Sequence, residues 1–375
     1  MKIEFYKHNL GDDEKRNVLE CLSGVILTAG SYVAEFEDML ANYLNLQYAV
    51  GLNSCTAALH LSLLALGVGE GDEVITTPMT FIATATAIIH TGAKPVFVDV
   101  EKNTGLINPD LIEKAITNKT KVILPVHLYG QMCDMKRIKE IADQYNLKIV
   151  EDAAHCIEGE KDNIKPGQLS DTVCFSFYAT KNITSGEGGA VATNNKELAD
   201  KIKILRTHGM SKEAADRYSG KYQHWDMVEC GWKYNMDNIQ AALLLPQLEK
   251  IDKNYERRAE LYKEYVSCLK SIPGIKCLEI LPGSKSAYHL FTILVDKNKR
   301  DVVIKKLSEK EIGVAVNYRA VHLLTYFKEK FGFKRGDFPV AEGIGDRTIS
   351  LPFWLGLDVV NIKQIAAELC KAFKA

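Results

Sequence analysis

The sequence predicts an α/β fold with a mostly parallel sheet, followed by a smaller α+β unit. Short β-prone runs alternate with helical segments between Tyr48 and Thr193, and several runs are apolar throughout, as at Val122–Val126. Strands buried on both faces have this composition, and strand–helix alternation favours a parallel sheet covered by helices. After Ile272-Pro273-Gly274 the pattern changes to short strands between helices, which indicates a second unit.

Seven runs are predicted strands of one sheet, and four segments between them are predicted helices. In chain order the strands are Tyr48–Leu52, Glu73–Thr77, Pro95–Asp99, Lys121–Val126, Leu147–Asp152, Thr172–Phe177 and Gly189–Thr193. The helices are Cys55–Leu66, Phe81–Thr91, Asp110–Thr117 and Asp134–Tyr145. These elements account for the α/β part of the fold.

The rest of the chain is predicted to be helical first and mixed afterwards. Asp237–Leu269 has apolar residues at helical spacing, and Pro246 predicts a kink in it. The final part has predicted strands at His289–Val295 and Gly313–Asn317, and helices at Arg300–Lys310 and Val360–Phe373. We therefore expect a large domain at 1–250 and a small domain at 251–375.

Composition excludes several classes of protein. The 375 residues are 46% hydrophobic and 25% charged, and their formal net charge is -1, which argues against a disordered or nucleic-acid-binding chain. No signal peptide is evident, and the longest apolar stretch is too short to span a bilayer. The nine cysteines lack a C-x-x-C pair, so neither a metal site nor a disulfide framework is indicated. We expect a cytoplasmic protein without membrane or nucleic-acid partners.

The turn from the first predicted strand into the first helix is a predicted phosphate site. Small and hydroxyl residues, Ser54, Cys55 and Thr56, open the helix. Free N–H groups at a helix start attract anions. The alternative is an ordinary helix cap by Ser54 or Thr56.

Two further patterns follow buried strands. Asp152 and His155 stand at the carboxyl end of one, where ligands bind in open α/β sheets. Lys181 follows another and precedes the glycine-rich stretch Ser185–Ala190, and a desolvated lysine is a nucleophile that forms imines. The alternatives are a helix-capping Asp, a structural His and a solvated loop lysine. Together the three patterns supply what pyridoxal phosphate requires: a phosphate cradle, an acid for the ring nitrogen and an imine-forming lysine.

The chain resembles the DegT/DnrJ/StrS sugar aminotransferases, a family of fold-type I pyridoxal-phosphate enzymes. The resemblance runs nearly end to end and is carried by LTAGSYVAEFE from Leu27, the long stretch from Asn53, VEDAAH from Val150, FSFYATKNITSGEGGAV from Phe175 and GWKYNMDNIQAALLLPQLEK from Gly231. So many motifs in the same order are highly specific. The resemblance implies the fold-type I architecture, with a seven-stranded sheet in the large domain.

The resemblance also implies roles around the cofactor. Lys181 would carry the cofactor and then move the proton between it and the substrate carbon. Asp152 would pair with the ring nitrogen, His155 would lie near the phenolic oxygen, and Phe81 would stack on the ring. The phosphate positions are Cys55, Thr56 and Ser176, beside Ser54. The family often has glycine where this chain has Cys55.

Other positions point to a partner subunit and to a substrate. The GWKYN stretch is expected to cross a homodimer interface toward the partner's phosphate, through Lys233 or Asn235. The alternative for Lys233 is an ordinary surface lysine. The residues expected to contact the sugar substrate are Thr28, Tyr178, Tyr318, Arg319 and His322. Asn317 stands where the family more often has histidine.

The implied reaction is transamination of a nucleotide-linked keto-deoxysugar with L-glutamate as amino donor. The stretch with Arg319 and His322 resembles the branch of the family that acts on UDP-linked 4-keto sugars, and a dTDP-linked 3-keto sugar is the alternative. A deoxygenating relative would have histidine in place of Lys181. A non-catalytic regulator that binds the nucleotide sugar is a further alternative, against which the complete set of cofactor residues argues. Gly67–Gly71 is weak support for a dinucleotide-dependent oxidoreductase, because it follows a helix.

Overall fold

A computed structural model describes residues 2–211 and 224–374. Its strands up to residue 193 are β1 (Tyr48–Leu52), β2 (Glu73–Thr76), β3 (Lys94–Phe97), β4 (Thr120–Ile123), β5 (Lys148–Asp152), β6 (Glu160–Lys161), β7 (Thr172–Ser176) and β8 (Gly189–Thr193). All except β6 form a seven-stranded sheet in the order β1-β8-β7-β5-β4-β2-β3. β8 runs antiparallel to both its neighbours, and the other pairs are parallel. The predicted mostly parallel sheet is confirmed.

The helices of the described chain cover this sheet and continue into the C-terminal part. They are Asp12–Leu22, Ser31–Leu44, Cys55–Ala65, Ile82–His90, Pro109–Ala115, Met135–Tyr145, Lys196–Leu205, Asn238–Glu249, Ile251–Leu269, Arg300–Glu309, Thr325–Phe331, Pro339–Gly345 and Val359–Lys374. The two helices before β1 were not among the predicted elements. Among the described residues, no helix has the length and apolar character needed to cross a membrane.

Both faces of the sheet are buried. Successive side chains of a strand point to opposite faces, and in β4 Ile123 belongs to one hydrophobic cluster while Val122 belongs to the other. The same alternation separates Ile149 from Val150 in β5. This two-sided burial explains why the predicted strands are apolar throughout rather than alternating.

The predicted helical region Asp237–Leu269 is two helices that meet at Lys250. Pro246 lies inside the first of them and has no N–H for the carbonyl four residues earlier. That carbonyl, of Ala242, accepts a hydrogen bond of 2.9 Å from the Asn17 side chain instead. The interruption therefore falls four residues beyond the predicted kink.

The C-terminal part contains a small antiparallel sheet. Its strands β9 (Lys276–Cys277), β11 (Phe291–Leu294) and β12 (Thr348–Leu351) lie in the order β12-β11-β9, and β10 (Ser284–Lys285) pairs with β6. The N-terminal segment joins this part, because Ile3 bridges to Ile312 and packs in its core. The domain boundary at residue 250 stays a prediction.

The predicted strand Gly313–Asn317 is wrong. Only Ala315 makes a bridge, to Ser350 of β12. Two residues later the Asn317 carbonyl accepts hydrogen bonds from the side chains of Tyr129 and Thr348 and from no strand backbone among the described residues. Gly67–Gly71 forms the turn between the helix Cys55–Ala65 and β2.

Candidate active site

The carboxyl ends of β5 and β7 open into a cavity of about 480 Å³. Asp152 ends β5, Ser176 ends β7, and the helix after β1 begins at the cavity wall. The sequence-predicted residues that line this cavity are Ser54, Cys55, Thr56, Phe81, Asp152, His155, Ser176, Tyr178, Lys181 and Tyr318. The sheet thus brings together residues that are far apart in the chain.

Lys181 lies on the turn that follows β7. Its N–H donates to the Tyr178 carbonyl at 2.9 Å, so the turn is tight. Burial lowers the pKa of the Lys181 ammonium to about 8, and the negative charge of Asp152 opposes this only in part. A lysine with this pKa has a substantial neutral, nucleophilic fraction near neutral pH.

Asp152 is held by donors on both carboxylate oxygens. Thr84 Oγ1 donates to Oδ2 at 2.7 Å, and the Ala154 N–H donates to Oδ1 at 3.1 Å. Because the single Thr84 proton goes to Asp152, the Thr80 hydroxyl 2.7 Å away donates to Thr84. Burial raises the pKa of Asp152, and the hydrogen bonds from Thr84 and Ala154 act against that rise. An acid fixed in this way suits a cationic partner such as a protonated ring nitrogen.

The start of the helix Cys55–Ala65 forms a cradle for an anion. Ser54 caps the helix, because its Oγ accepts from the Ala57 N–H at 3.1 Å. The N–H groups of Cys55 and Thr56 have no acceptor among the described residues. Gly189, the first residue of β8, passes so close that a Cβ there would meet Ser54 C at 2.3 Å and Cys55 N at 2.5 Å. The glycine therefore permits this packing at the helix start.

Cys55 adds no charge to the cradle. Its side chain is buried. Burial raises the pKa of the Cys55 thiol well above its ordinary value, and the charge of Asp152 adds to the rise. A neutral thiol does not repel a phosphate.

His155 is a neutral imidazole fixed between two partners. Its Nδ1 accepts from the Tyr129 N–H at 3.3 Å, so the proton sits on Nε2, which donates to Tyr318 Oη at 3.2 Å. Burial lowers the pKa of His155 well below its ordinary value, and the nearby Lys181 charge contributes. His155 also lies against His289, with ring centroids 4.4 Å apart.

Three aromatic side chains shape the cavity mouth. Phe81 is 52% exposed and Tyr178 is 47% exposed, although both line the cavity. The Phe81 ring lies 5.7 Å from the Tyr318 ring, centroid to centroid. Exposed rings next to a cavity are well placed to stack on a bound heterocycle or sugar.

The other sequence-predicted site residues do not line this cavity. Thr28 is half-buried, Arg319 is exposed, and His322 is fully buried with Nε2 3.0 Å from Glu342 Oε1. Lys233 is exposed, and its Nζ donates to Asn235 Oδ1 at 2.6 Å. Both lie beside Asn53 near the phosphate cradle, because Asn53 N–H donates to the Tyr234 carbonyl at 2.8 Å.

Two residues that the sequence analysis did not select also line the cavity. Thr84 holds Asp152, and the i, i+4 spacing of Thr80 and Thr84 across the start of the helix Ile82–His90 is a signal from which a hydroxyl pair could have been inferred. His289 lies on the stretch just before β11, where nothing in the sequence distinguishes it from a core residue. Only the fold brings His289 to Lys181.

The residues present fit pyridoxal phosphate. The unpartnered N–H groups of Cys55 and Thr56 suit its phosphate, the doubly hydrogen-bonded Asp152 suits its ring nitrogen, and Lys181 has the lowered pKa that imine formation needs. These three features converge on one cavity.

Comparison with known proteins gives one consistent result. The model of the DegT/DnrJ/EryC1/StrS aminotransferase family matches residues 8–370. The spore coat polysaccharide biosynthesis protein SpsC of Bacillus subtilis is 41% identical, over 96% of this chain and 95% of its own. The PMP form of a sugar aminotransferase, Spr1654 of Streptococcus pneumoniae, superposes with a TM-score of 0.94 at 31% identity and 99% coverage of both chains. PseC of Helicobacter pylori, an aminotransferase of pseudoaminic acid biosynthesis, gives 0.93 at 29% identity and 100% coverage of both.

Proposed function

Because the chain belongs to the DegT/DnrJ/EryC1/StrS aminotransferase family, whose cofactor is pyridoxal phosphate, we propose that it transfers an amino group from L-glutamate to a nucleotide-linked keto-deoxysugar. We propose a UDP-linked 4-keto sugar as the first substrate to test. The products are a nucleotide-linked amino sugar and 2-oxoglutarate.

One observation carries this proposal: a lysine with a pKa of about 8 shares a cavity with a buried carboxylate and an open helix start. Pyridoxal phosphate, when bound, supplies an electron sink next to the reacting carbon. In the first half-reaction Lys181 would move the proton from the α-carbon of the donor to the cofactor, and in the second it would move a proton from the cofactor to the sugar carbon, as general base and then general acid each time. Asp152 would keep the ring nitrogen of the cofactor protonated. The N–H groups of Cys55 and Thr56 would anchor the cofactor phosphate.

The cavity mouth supports a sugar substrate. Tyr178 and Phe81 offer exposed rings, and Tyr318 carries a hydroxyl fixed by His155. Arg319 is the next residue along the chain and is exposed, so we propose it for the phosphates of the nucleotide. His322 is buried, so we propose that it does not touch the sugar. Its hydrogen bond to Glu342 would instead hold the segment that carries Tyr318 and Arg319 in place.

The active unit in this proposal is a homodimer with shared sites. Lys233 and Asn235 lie at the surface near the cradle of their own chain and outside its cavity. We propose that they reach the cofactor phosphate of the partner. A cytoplasmic location remains a prediction from the sequence.

The first test is a visible spectrum of the purified protein with pyridoxal phosphate. L-Glutamate is expected to shift the cofactor band to that of the amine form. One member of a panel of UDP- and dTDP-linked 4-keto and 3-keto sugars is expected to restore the first band. If no cofactor band forms, the lysine site is wrong and a non-catalytic role gains weight. If the band forms but no sugar restores it, the substrate class is wrong.

A further inference from the structure

Lys181 and His289 both line the cavity, and neither Lys181 Nζ nor His289 Nε2 has a hydrogen-bond partner among the described residues. Both residues also line a second, much smaller cavity, and the charge of Lys181 acts on His289. His289 is only 5% exposed, and its one hydrogen bond is made by the other ring nitrogen, Nδ1, to Asn182 Oδ1 at 3.3 Å. The resemblance described in the sequence analysis implies a role for Lys181 and none for His289.

The orientation of the Asn182 amide is fixed by its own partners. Asn182 Nδ2 donates to Glu158 Oε2 at 2.8 Å and to the Ala287 carbonyl at 2.9 Å. Both of these partners accept, so a flipped amide would place oxygen against oxygen. Arg258 in turn holds Glu158 through a buried ion pair. Asn182 Oδ1 therefore faces His289 and only accepts.

This orientation decides the tautomer of His289. Since Asn182 Oδ1 accepts, the proton of the imidazole sits on Nδ1, and Nε2 keeps its lone pair. Burial lowers the pKa of His289 well below its ordinary value, and the charges of Lys181 and Arg258 lower it further. His289 is thus neutral at physiological pH and presents an acceptor to the cavity.

The neighbouring His155 does not offer the same acceptor. Its Nδ1 is already occupied by the Tyr129 N–H, and its Nε2 proton is directed at Tyr318. The two rings, 4.4 Å apart, therefore carry their protons on opposite nitrogens. Of this histidine pair, His289 alone can accept a hydrogen bond from an amine.

We propose that His289 is a positioning residue for Lys181. When the lysine amine is free, His289 Nε2 accepts a hydrogen bond from Lys181 Nζ and holds the amine in the cavity. The proposal deepens the proposed function, because transamination frees this lysine and takes it back in each cycle. Asn182, Glu158 and Arg258 support the arrangement by fixing the tautomer of His289.

The tautomer is tested by nitrogen chemical shifts of the full-length protein labelled with ¹⁵N-histidine. His289 is assigned by difference against H289Q or H289N. We expect a protonated Nδ1 and an unprotonated Nε2. A proton on Nε2 would remove the acceptor and overturn the proposal.

The hydrogen bond to the lysine is tested by the rate at which the apo-protein binds pyridoxal phosphate, measured as a function of pH. Asparagine at position 289 keeps an N–H near the place of Nδ1 but supplies nothing at Nε2, whereas glutamine supplies an amide oxygen there. His289 Nε2, as a hydrogen-bond acceptor, stabilises the ammonium form of Lys181, so the loss of this acceptor in H289N lowers the pKa of Lys181. The pH profile of the binding rate of H289N is therefore expected to lie about one pH unit lower than that of wild type. At acidic pH, H289N then binds the cofactor about tenfold faster than wild type.

H289Q is expected to keep a profile close to wild type, which is the rescue that a purely structural role would not give. Thermal unfolding of both variants shows whether each is folded. Equal profiles for H289N and H289Q, shifted or unshifted, contradict the proposal. Neither this assay nor the nitrogen shifts involve a sugar, so their outcome is separate from that of the substrate test above.

Discussion

Burial causes the lowered pKa of Lys181, and its acidic neighbours act against it. With a pKa of about 8 instead of 10.5, the neutral fraction of the amine at pH 7 is about 300 times larger. The neutral amine is the reactive form. One desolvated turn after β7 therefore makes a nucleophile of an otherwise ordinary lysine.

We predict that Lys181→Ala and Lys181→Arg both lose turnover by at least about a thousandfold. Alanine removes the group that moves the proton, and arginine stays protonated and does not act as a base. Lys181→Ala is still expected to bind pyridoxamine phosphate, which absorbance after gel filtration measures. Turnover within tenfold of wild type in either variant would sink the mechanism.

Thr84 is predicted to matter through Asp152. Thr84→Val keeps the shape but removes the donor to Oδ2, which costs the charged carboxylate about 2 kcal/mol and lowers kcat roughly thirtyfold. Thr86→Val is the matched control on the same helix, since Thr86 Oγ1 only bonds the Ala83 carbonyl. Steady-state kinetics compare the two. Equal kcat values in the two variants would show that the Thr84 hydroxyl does not support Asp152.

At the scale of elements, the phosphate cradle depends on a helix and a strand whose backbones pack directly against each other, because a glycine stands at the point of contact. The helix Cys55–Ala65 starts where β8 starts, and Gly189 is the point of contact. The Ser54 hydroxyl caps the helix by accepting from the Ala57 N–H, so its first role is to stabilise the helix start. The two interpretations of this turn, helix cap and anion site, are compatible with each other, because the cap uses the Ser54 hydroxyl and the anion site uses the N–H groups of Cys55 and Thr56.

Gly189→Ala is predicted to weaken cofactor binding at least tenfold and to lower Tm. Its Cβ would overlap backbone atoms of Ser54 and Cys55, which must move and take the N–H groups with them. Gly343→Ala is the control, because a Cβ there meets nothing within 4 Å and alanine favours a helix. Pyridoxal phosphate titration and thermal unfolding report both effects. Wild-type affinity in Gly189→Ala would contradict the close packing.

The strands of the large sheet were predictable because a strand that is buried on both faces consists of consecutive apolar residues, a pattern visible within one short segment. The predicted strand Gly313–Asn317 failed because its course depends on partners distant in sequence. The Asn317 carbonyl accepts from the side chains of Tyr129 and Thr348 and not from the backbone of a neighbouring strand in the described chain. The short strands β9 and β10 carry too few residues for any periodicity.

At the scale of the whole molecule, the sheet order places the ends of β5 and β7 next to each other. Because these strand ends are adjacent, Asp152 and Lys181 line the same cavity, although 28 residues lie between them in the chain. The same topology leaves Lys233 and Asn235 outside their own cavity. The shared site that we propose for a symmetric dimer would account for that placement.

Hybrid dimers test the shared site. Chains carrying Lys181→Ala are mixed with chains carrying Lys233→Ala and Asn235→Ala, after unfolding and refolding or by co-expression. If sites are shared, each hybrid has one complete site, and a random mixture recovers about a quarter of wild-type activity. If each site is built from one chain, the mixture stays as inactive as its components. The separately prepared variants, mixed without exchange, are the control.

The sequence by itself determined the fold class, the family, and the residue types for the cofactor, because apolar runs and motifs at Asp152 and Lys181 are local signals. The tertiary structure decided which residues meet. It buried His322 against Glu342, joined Thr84 to Asp152 by a hydrogen bond, and brought His289 into the cavity that Lys181 lines. The physical reason is that hydrogen bonds, burial and pKa depend on neighbours in space, and the sheet order that creates those neighbours is not written in any single segment.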